Sequence, residues 1–251
     1  MTDVVICGAC GKMGRVIADI ISGRDDCRVS AGIDKIGGEL GFPVYKSFSE
    51  LEEKPDVIID FSHPSVLGEM LDYCITNGVP VVVATTGYNE EQLAAIRKAA
   101  ESVPVFFTFN MSLGINLLAE LAKKAVAVLG GQYDIEIIEK HHNQKIDAPS
   151  GTAIMLAEAI NNELNNEYKY VYDRHSVRAK RTKTEIGMHS IRGGTIVGEH
   201  EILFAGRDEV TSLKHEAHSK SVFAVGAVNA AVFLSGKPAG LYAMSDMLAD
   251  K

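Results

Sequence analysis

The sequence predicts an α/β chain in two lobes, a doubly wound parallel sheet followed by a second α+β domain with a mixed, largely antiparallel sheet. Three observations carry this. Short apolar runs alternate with helical stretches as far as residue 109, the pattern of parallel strands joined by crossover helices. Past residue 185 the apolar runs follow one another with only turn residues between them, which points to antiparallel pairing. Finally, 251 residues, 46% of them hydrophobic, suffice for two modest cores.

Taken in order, residues 3–7 form a short apolar run ending in glycines and read as a buried parallel strand. Residues 12–22 are helical, with Met13, Val16, Ile17, Ile20 and Ile21 on one side. Residues 28–33 make the second strand, which ends at Asp34. Three further strands are expected at 56–61, 79–84 and 103–109, separated by helices at 64–77 and 89–101. The character then changes. A helix at 113–129 leads through Gly130-Gly131 to a strand at 133–139, a polar loop and a helix at 152–164. Strands at 185–191, 195–205 and 210–217 follow, with turn residues Gly193-Gly194 and Gly206-Arg207-Asp208 between them, and a helix at 221–234 comes last. The lobes are therefore 1–112 and 113–220. Periodicity alone leaves the last helix free to belong to either.

Composition narrows the function. A net charge of -8 lacks the basic excess of a nucleic-acid binder, so no nucleic-acid partner is expected. Any anionic ligand must be met by local groups, such as a helix N-terminus, a Lys or an Arg. No apolar run approaches the ~20 residues that cross a bilayer, and the opening MTDVVICGAC has no basic leader region. No membrane partner and a cytoplasmic location are expected. Four cysteines are too few for a disulfide framework. Cys7-Gly-Ala-Cys10 is a C-x-x-C, the spacing of a redox pair or half a zinc site. No second pair completes it, and a glycine loop accounts for the segment, so no metal is expected.

That loop, Gly8-Ala9-Cys10-Gly11-Lys12-Met13-Gly14, follows the first strand and opens the first helix. Glycines let the backbone turn tightly against a pyrophosphate, and the helix N-terminus offers N–H groups and a favourable dipole. The spacing is G-x-x-G-x-x-G, looser than G-x-G-x-x-G, but the context is right. Asp34 ends the second strand 20 residues after Gly14, where a carboxylate binds adenosine ribose hydroxyls. Gly8 to Met13, Asp34 and Lys35 are thus candidate cofactor residues of a Rossmann-like lobe. Asp34 favours NADH. Lys35 either meets the 2′-phosphate of NADPH or is half of a surface Asp-Lys pair, so NADH and/or NADPH is the expected cofactor. Phe61-Ser62-His63-Pro64 and Ala84-Thr85-Thr86-Gly87 also end parallel strands, where open α/β sheets bind ligands. Phe61, Ala84, Thr85 and Thr86 line the cofactor's path on this reading; plain turn chemistry would explain the same residues.

The densest chemistry lies in Glu139-Lys140-His141-His142-Asn143-Gln144-Lys145-Ile146-Asp147-Ala148-Pro149-Ser150-Gly151-Thr152-Ala153. Two histidines and a lysine follow a strand end and can supply a proton near neutral pH and a fixed cation. Ser150 reads as a helix N-cap, with Gly151 and Thr152 turning backbone N–H groups toward an anion. A carboxylate site with a proton donor attached fits these residues; a solvated loop would share the composition. A histidine metal pair lacks the ligands to complete it.

On these blocks the chain resembles the dihydrodipicolinate reductase (4-hydroxy-tetrahydrodipicolinate reductase) family. Residues 139–153 match its Glu-x-His-His-x-x-Lys-x-Asp-Ala-Pro-Ser-Gly-Thr-Ala signature throughout, and 8–14, 60–64, 110–116 and 192–200 match further blocks in family order. The resemblance implies NAD(P)H-dependent reduction of 4-hydroxy-tetrahydrodipicolinate to tetrahydrodipicolinate, with loss of water, on the route to diaminopimelate and lysine. It implies His141 as acid/base residue, Lys145 as second proton donor or charge stabiliser, and His142, Lys145, Ser150, Gly151 and Thr152 around a substrate carboxylate. It adds Thr108, Phe109, Asn110 and Met111 to the cofactor residues. It also implies that residues 221–251 rejoin the dinucleotide-binding domain, while 113–220 bind substrate and build a homotetramer. Ala84 stands where the family usually has glycine, and Lys220 where some relatives have Arg; both bear on cofactor preference. Another two-domain nicotinamide amino-acid dehydrogenase, sharing the cofactor lobe, is the second reading. The basic stretch 174–183, with five Lys or Arg, either helps to gather the dianionic substrate or is a solvated loop.

Overall fold

A computed structural model describes residues 1–250. Its elements begin β1 (Thr2–Cys7), α1 (Lys12–Ser22), β2 (Cys27–Ile33), β3 (Val44–Tyr45), β4 (Val57–Asp60), α2 (Leu67–Asn77), β5 (Val81–Val83), α3 (Glu90–Ala99) and β6 (Pro104–Phe107). They continue α4 (Leu113–Leu129), β7 (Asp134–His141), α5 (Gly151–Glu163), β8 (Lys169–Val171), β9 (Glu185–Arg192), β10 (Gly198–Ala205) and β11 (Val210–Ala217). The chain ends α6 (Ser221–Leu234), β12 (Gly240–Tyr242) and α7 (Met244–Ala249). It forms two compact units, Met1–Leu113 with Ser221–Lys251, and Gly114–Lys220. Lys251, the end of the stretch expected to rejoin the first domain, lies outside the described residues.

The first unit is a seven-stranded sheet in the order β12-β6-β5-β4-β1-β2-β3, every pairing parallel. The doubly wound class read from the sequence is found. Successive residues of β1 face opposite sides. Val4 and Ile6 join the core beneath α1 and α6, whereas Val5 and Cys7 join the core beneath α2 and α3. Strand order reverses between β1 and β4, so the carboxyl ends of these two strands flank the switch point where such sheets bind ligands. Helix α6 is apolar nearly all round, and Ala224, Ala227, Val228, Ala230, Ala231 and Leu234 are buried, as expected for a helix sunk in a core. It lies close: a Cβ on Gly226 would come within 1.7 Å of the Met111 carbonyl oxygen.

The second unit is a five-stranded mixed sheet in the order β11-β10-β7-β9-β8. Helices α4 and α5 pack on one face, through residues such as Leu118, Ala122, Leu156 and Ile160 against Ile135, Ile137, Ile202 and Phe204. Here the pairing differs from the sequence expectation. The turn at Gly193-Gly194 does not close a hairpin between β9 and β10. It steps over the end of β7, which lies between them, parallel to β9 and antiparallel to β10. Gly193 N–H donates to His141 O at 2.9 Å, and Asn143 N–H donates to Gly194 O at 3.2 Å. Strands β3, β8 and β12 have two or three residues each, too short for an alternation to show.

Candidate active site

In the first unit, β1 delivers Gly8 with φ +81°, a conformation that glycine alone takes without strain. A Cβ on Gly8 would meet Phe61 O at 2.7 Å, and one on Gly14 would meet Gly8 O at 2.2 Å. The loop, the β4 end and the first turn of α1 are packed backbone to backbone. Gly11 is the N-cap of α1 and supplies no side-chain cap, so the positive end of the helix faces the loop unscreened. Asp34 pins the loop from β2: one carboxylate oxygen accepts from Cys10 N–H at 3.0 Å, the other from Ile36 N–H at 3.0 Å. Gly8, Gly11, Asp34, Lys35 and Phe61 line a cavity of about 310 Å³. These features fit a dinucleotide: glycines at the close approach, an uncapped helix N-terminus for pyrophosphate and a carboxylate for ribose.

The remaining expected cofactor residues sit around this cavity or apart from it. Lys12 is exposed on the first turn of α1, while Met13 packs on the core. Ala84 and Thr85 are buried just past β5, with Thr86 exposed beside them. After β6, Thr108 is half-buried, Phe109 is 78% exposed, and Asn110 and Met111 are buried. Asn110 Oδ1 accepts from Ser112 N–H at 2.8 Å. The cavity wall also includes Lys46, which the sequence reading missed. It follows β3, a strand of two residues, and only the parallel pairing of β3 with β2 brings it near Asp34. The C-x-x-C thiols are held protonated: burial, reinforced by Asp60 at Cys7 and Asp34 at Cys10, pushes both upward. Among the described residues no cluster of His, Cys, Asp or Glu is arranged to hold a metal ion.

In the second unit, β7 alternates strictly, so that Ile135, Ile137, Glu139 and His141 point inward. The inward row thus turns from apolar to ionisable at the strand's end. Register sets Glu139 opposite His200 of β10, and His141 beside Arg192 of β9. Glu139 is fully buried. Its Oε2 lies 2.6 Å from His141 Nδ1, and its Oε1 accepts from Ser150 N–H at 3.1 Å. Arg192 donates to both oxygens, Nη1 to Oε2 and Nη2 to Oε1, each at 2.7 Å. Lys145 Nζ is paired with Asp147 at 2.9 Å, and Arg192 Nη2 donates to Asp147 O at 2.7 Å. The loop is thereby tied to the sheet.

Ser150 is the N-cap of α5, accepting from Ala153 N–H at 3.2 Å. Its hydroxyl also meets His200 Nε2 at 3.0 Å, and its N–H is taken by Glu139. Buried and committed on every side, Ser150 anchors the first turn of α5, whose residues Gly151 and Thr152 are exposed and half-buried. His142, just past β7, is half-buried. The rings of His141 and His200 meet edge to face, centroids 5.2 Å apart.

Burial opposes charge throughout this cluster. It alone would raise the Glu139 carboxyl, but the Arg192 fork and His141 overcome it and hold the group at about 2. Burial lowers His141; Glu139 works against that, Lys145 and Arg192 work with it, and the net shift is downward. The arrangement supplies a poised imidazole, an ammonium and a helix N-terminus within one loop, which suits a ligand that carries carboxylates and needs a proton.

Residues 2–111 match the family model described as dihydrodipicolinate reductase, N-terminus, and residues 114–248 match its C-terminus counterpart. The chain belongs to the dihydrodipicolinate reductase family. It is 47% identical over 248 residues to the 4-hydroxy-tetrahydrodipicolinate reductase of Caldanaerobacter subterraneus subsp. tengcongensis, covering 99% of this chain and 98% of that one. It is 46% identical over 252 residues, the full length of both, to the enzyme of the same name from Clostridium novyi. Among solved structures, a dipicolinate-bound dihydrodipicolinate reductase from Paenisporosarcina sp. TG-14 superposes with a TM-score of 0.80 at 26% identity, over 97% of each chain. A dehydrogenase of another kind would share the cofactor lobe, whereas here the family match extends over the second unit. Dihydrodipicolinate reductases are NAD(P)H-dependent oxidoreductases, and the glycine loop with Asp34 fits that cofactor.

Proposed function

We propose that this chain reduces 4-hydroxy-tetrahydrodipicolinate to tetrahydrodipicolinate, with loss of water, on the route to diaminopimelate and lysine. The observation that carries this reading is the grouping at the end of β7, where His141, Lys145 and the start of α5 offer a proton, a cation and a helix N-terminus to one small dicarboxylate. The dinucleotide, NADH or NADPH, when held by the Gly8–Met13 loop and Asp34, supplies the hydride. Lys145 and the first turn of α5, with His142, hold the substrate's carboxylates. Lys145 is paired with Asp147, and a substrate carboxylate replaces that partner. Without ligand, burial and two cations keep His141 toward its neutral form. A dianion arriving beside it reverses that balance and favours the imidazolium, whose Nε2 then gives the proton that quenches the electron density left in the ring. Gly198 supports this role: a Cβ there would sit 3.2 Å from His141 Nε2, so the glycine keeps that nitrogen clear.

On this reading the first unit binds dinucleotide and the second binds substrate. The second also joins four copies through the sheet face turned away from α4 and α5. A cytoplasmic location belongs to the same reading. Turnover decides the matter: nicotinamide absorbance followed with substrate freshly made by the preceding synthase should fall with either NADH or NADPH. Lys145→Ala should lower kcat by about 10²-fold or more while NADH binding is kept. Unchanged turnover in that variant refutes the assignment.

A further inference from the structure

We propose that Glu139 is a positioning residue for the proton donor: its buried carboxylate holds His141 in the Nδ1–H tautomer and so fixes Nε2 as the atom that exchanges the proton. This rests on His141 acting as the acid in the reaction proposed above. The geometry leaves the carboxylate little freedom. Arg192 from β9 grips both oxygens, Ser190 of the same strand adds a side-chain hydrogen bond, Ser150 N–H from the start of α5 holds Oε1, and Oε2 meets His141 Nδ1 at 2.6 Å. An ionised carboxylate only accepts, so the ring must donate from Nδ1, and its other nitrogen is the one left for substrate. An Arg–Glu pair serving stability alone would be complete without the imidazole.

The groups around His141 make the carboxylate's charge matter as well. Arg192 faces the ring from β9, His200 from β10, and Lys145, itself paired with Asp147, from the loop. The two cations oppose an imidazolium, and His200 is held neutral, pushed by burial to about 4. Glu139 is the carboxylate in contact with the ring, and it favours the charged form. One side chain thereby sets the tautomer of the ring and raises its proton affinity. This is the orienting logic of a base held by a third group.

Glu139→Gln tests it. The amide has nearly the same shape, but it loses the charge and turns an NH₂ toward the Arg192 or Ser150 donors. An acid that must be protonated loses activity as pH rises through its pKa, so the falling limb of the kcat/KM profile should move about one pH unit or more toward acid. At neutral pH kcat should fall roughly 10–10²-fold. In a His141→Gln background the same change should cost about threefold or less, because its effect is transmitted through His141. An unmoved limb, or a full additional loss on top of His141→Gln, overturns the proposal. If His141→Gln itself leaves turnover intact, the reading of the acid fails and this inference with it; a slow His141→Gln beside an indifferent Glu139→Gln sinks the inference alone. Should Glu139→Gln not fold, ¹⁵N NMR of the unaltered protein still decides. Nδ1 of His141 must carry the proton in the neutral ring, and the opposite tautomer refutes the role.

Discussion

His200 and Glu139 face one another across β7 and β10, and each is buried in the charge state that acid removes. Burial, with help from His141, pushes His200 down from 6.5 to about 4. A group with a depressed native pKa contributes stability that is complete above its unfolded value and is lost as pH falls through its folded one. His200 therefore weakens the second unit between pH 6.5 and about 4, by on the order of 3 kcal/mol. Glu139 acts in a lower window, from 4.5 to about 2. Urea unfolding across these pH values should show both phases, and His200→Gln should flatten the upper one while leaving the lower. A profile unchanged in His200→Gln would mean that His200 is not the titrating group. In the first unit the cavity holds Asp34 with Lys35 and Lys46 beside it. An acid for ribose hydroxyls next to two cations suits either nicotinamide cofactor. Lys46→Ala should raise KM for NADPH about 10-fold and leave that for NADH nearly unchanged, the loss of one charge-assisted bond to a 2′-phosphate. An equal rise for both cofactors would place Lys46 outside phosphate recognition.

At the level of elements, α6 shows how a helix distant in sequence shapes the cofactor loops. Its Gly226 lies against the Met111 carbonyl with no room for a methyl group, and Met111 closes the segment that follows β6. Gly226→Ala must push α6 or that segment aside, at a cost of about 1–3 kcal/mol or more. A lower Tm with weaker NADH binding is the expected result; a variant that melts and binds like the parent would show that the contact yields freely. The sequence could not disclose this, because the two residues are far apart in the chain and the signal is an absent side chain. The glycine loop, Asp34 and the Ser150 cap were legible because each is a local pattern with a local cause. The partnership of Glu139 with Arg192 was not. It depends on β9 pairing parallel to β7 while Gly193-Gly194 steps across, and consecutive apolar runs with a turn between them read instead as a hairpin. The basic stretch 174–183 shows the same limit. Arg174 and Arg181 turn out to be paired with Glu136, Asp134 and Glu185, so two of its five cations hold the loop to the sheet.

For the molecule as a whole, the unresolved economy of the second sheet points outward. Its inner face is filled by α4 and α5, yet β11 is an edge strand eight residues long, with Val210 62% exposed. Strands of that length are rarely left open, because unpaired N–H and C=O groups template further pairing. The outer face follows the same alternation that buries Glu139 and presents Glu136, Ile138 and Lys140 on β7, with Glu199, Glu201 and Leu203 on β10. A surface of apolar residues set among both charges suits a self-complementary contact, in which the same patch meets its own copy about a two-fold axis; the four-chain assembly proposed above needs a second contact besides it, for which the open edge of β11 is placed. Sedimentation velocity should find a four-chain species across a wide range of protein concentration. Ile138→Glu places a charge in the centre of that face without touching the inner core, and it should shift the protein to smaller species while NADH binding in the first unit persists. A parent protein that sediments as a single chain throughout, or an Ile138→Glu variant that stays tetrameric, would rule this face out as the assembly surface.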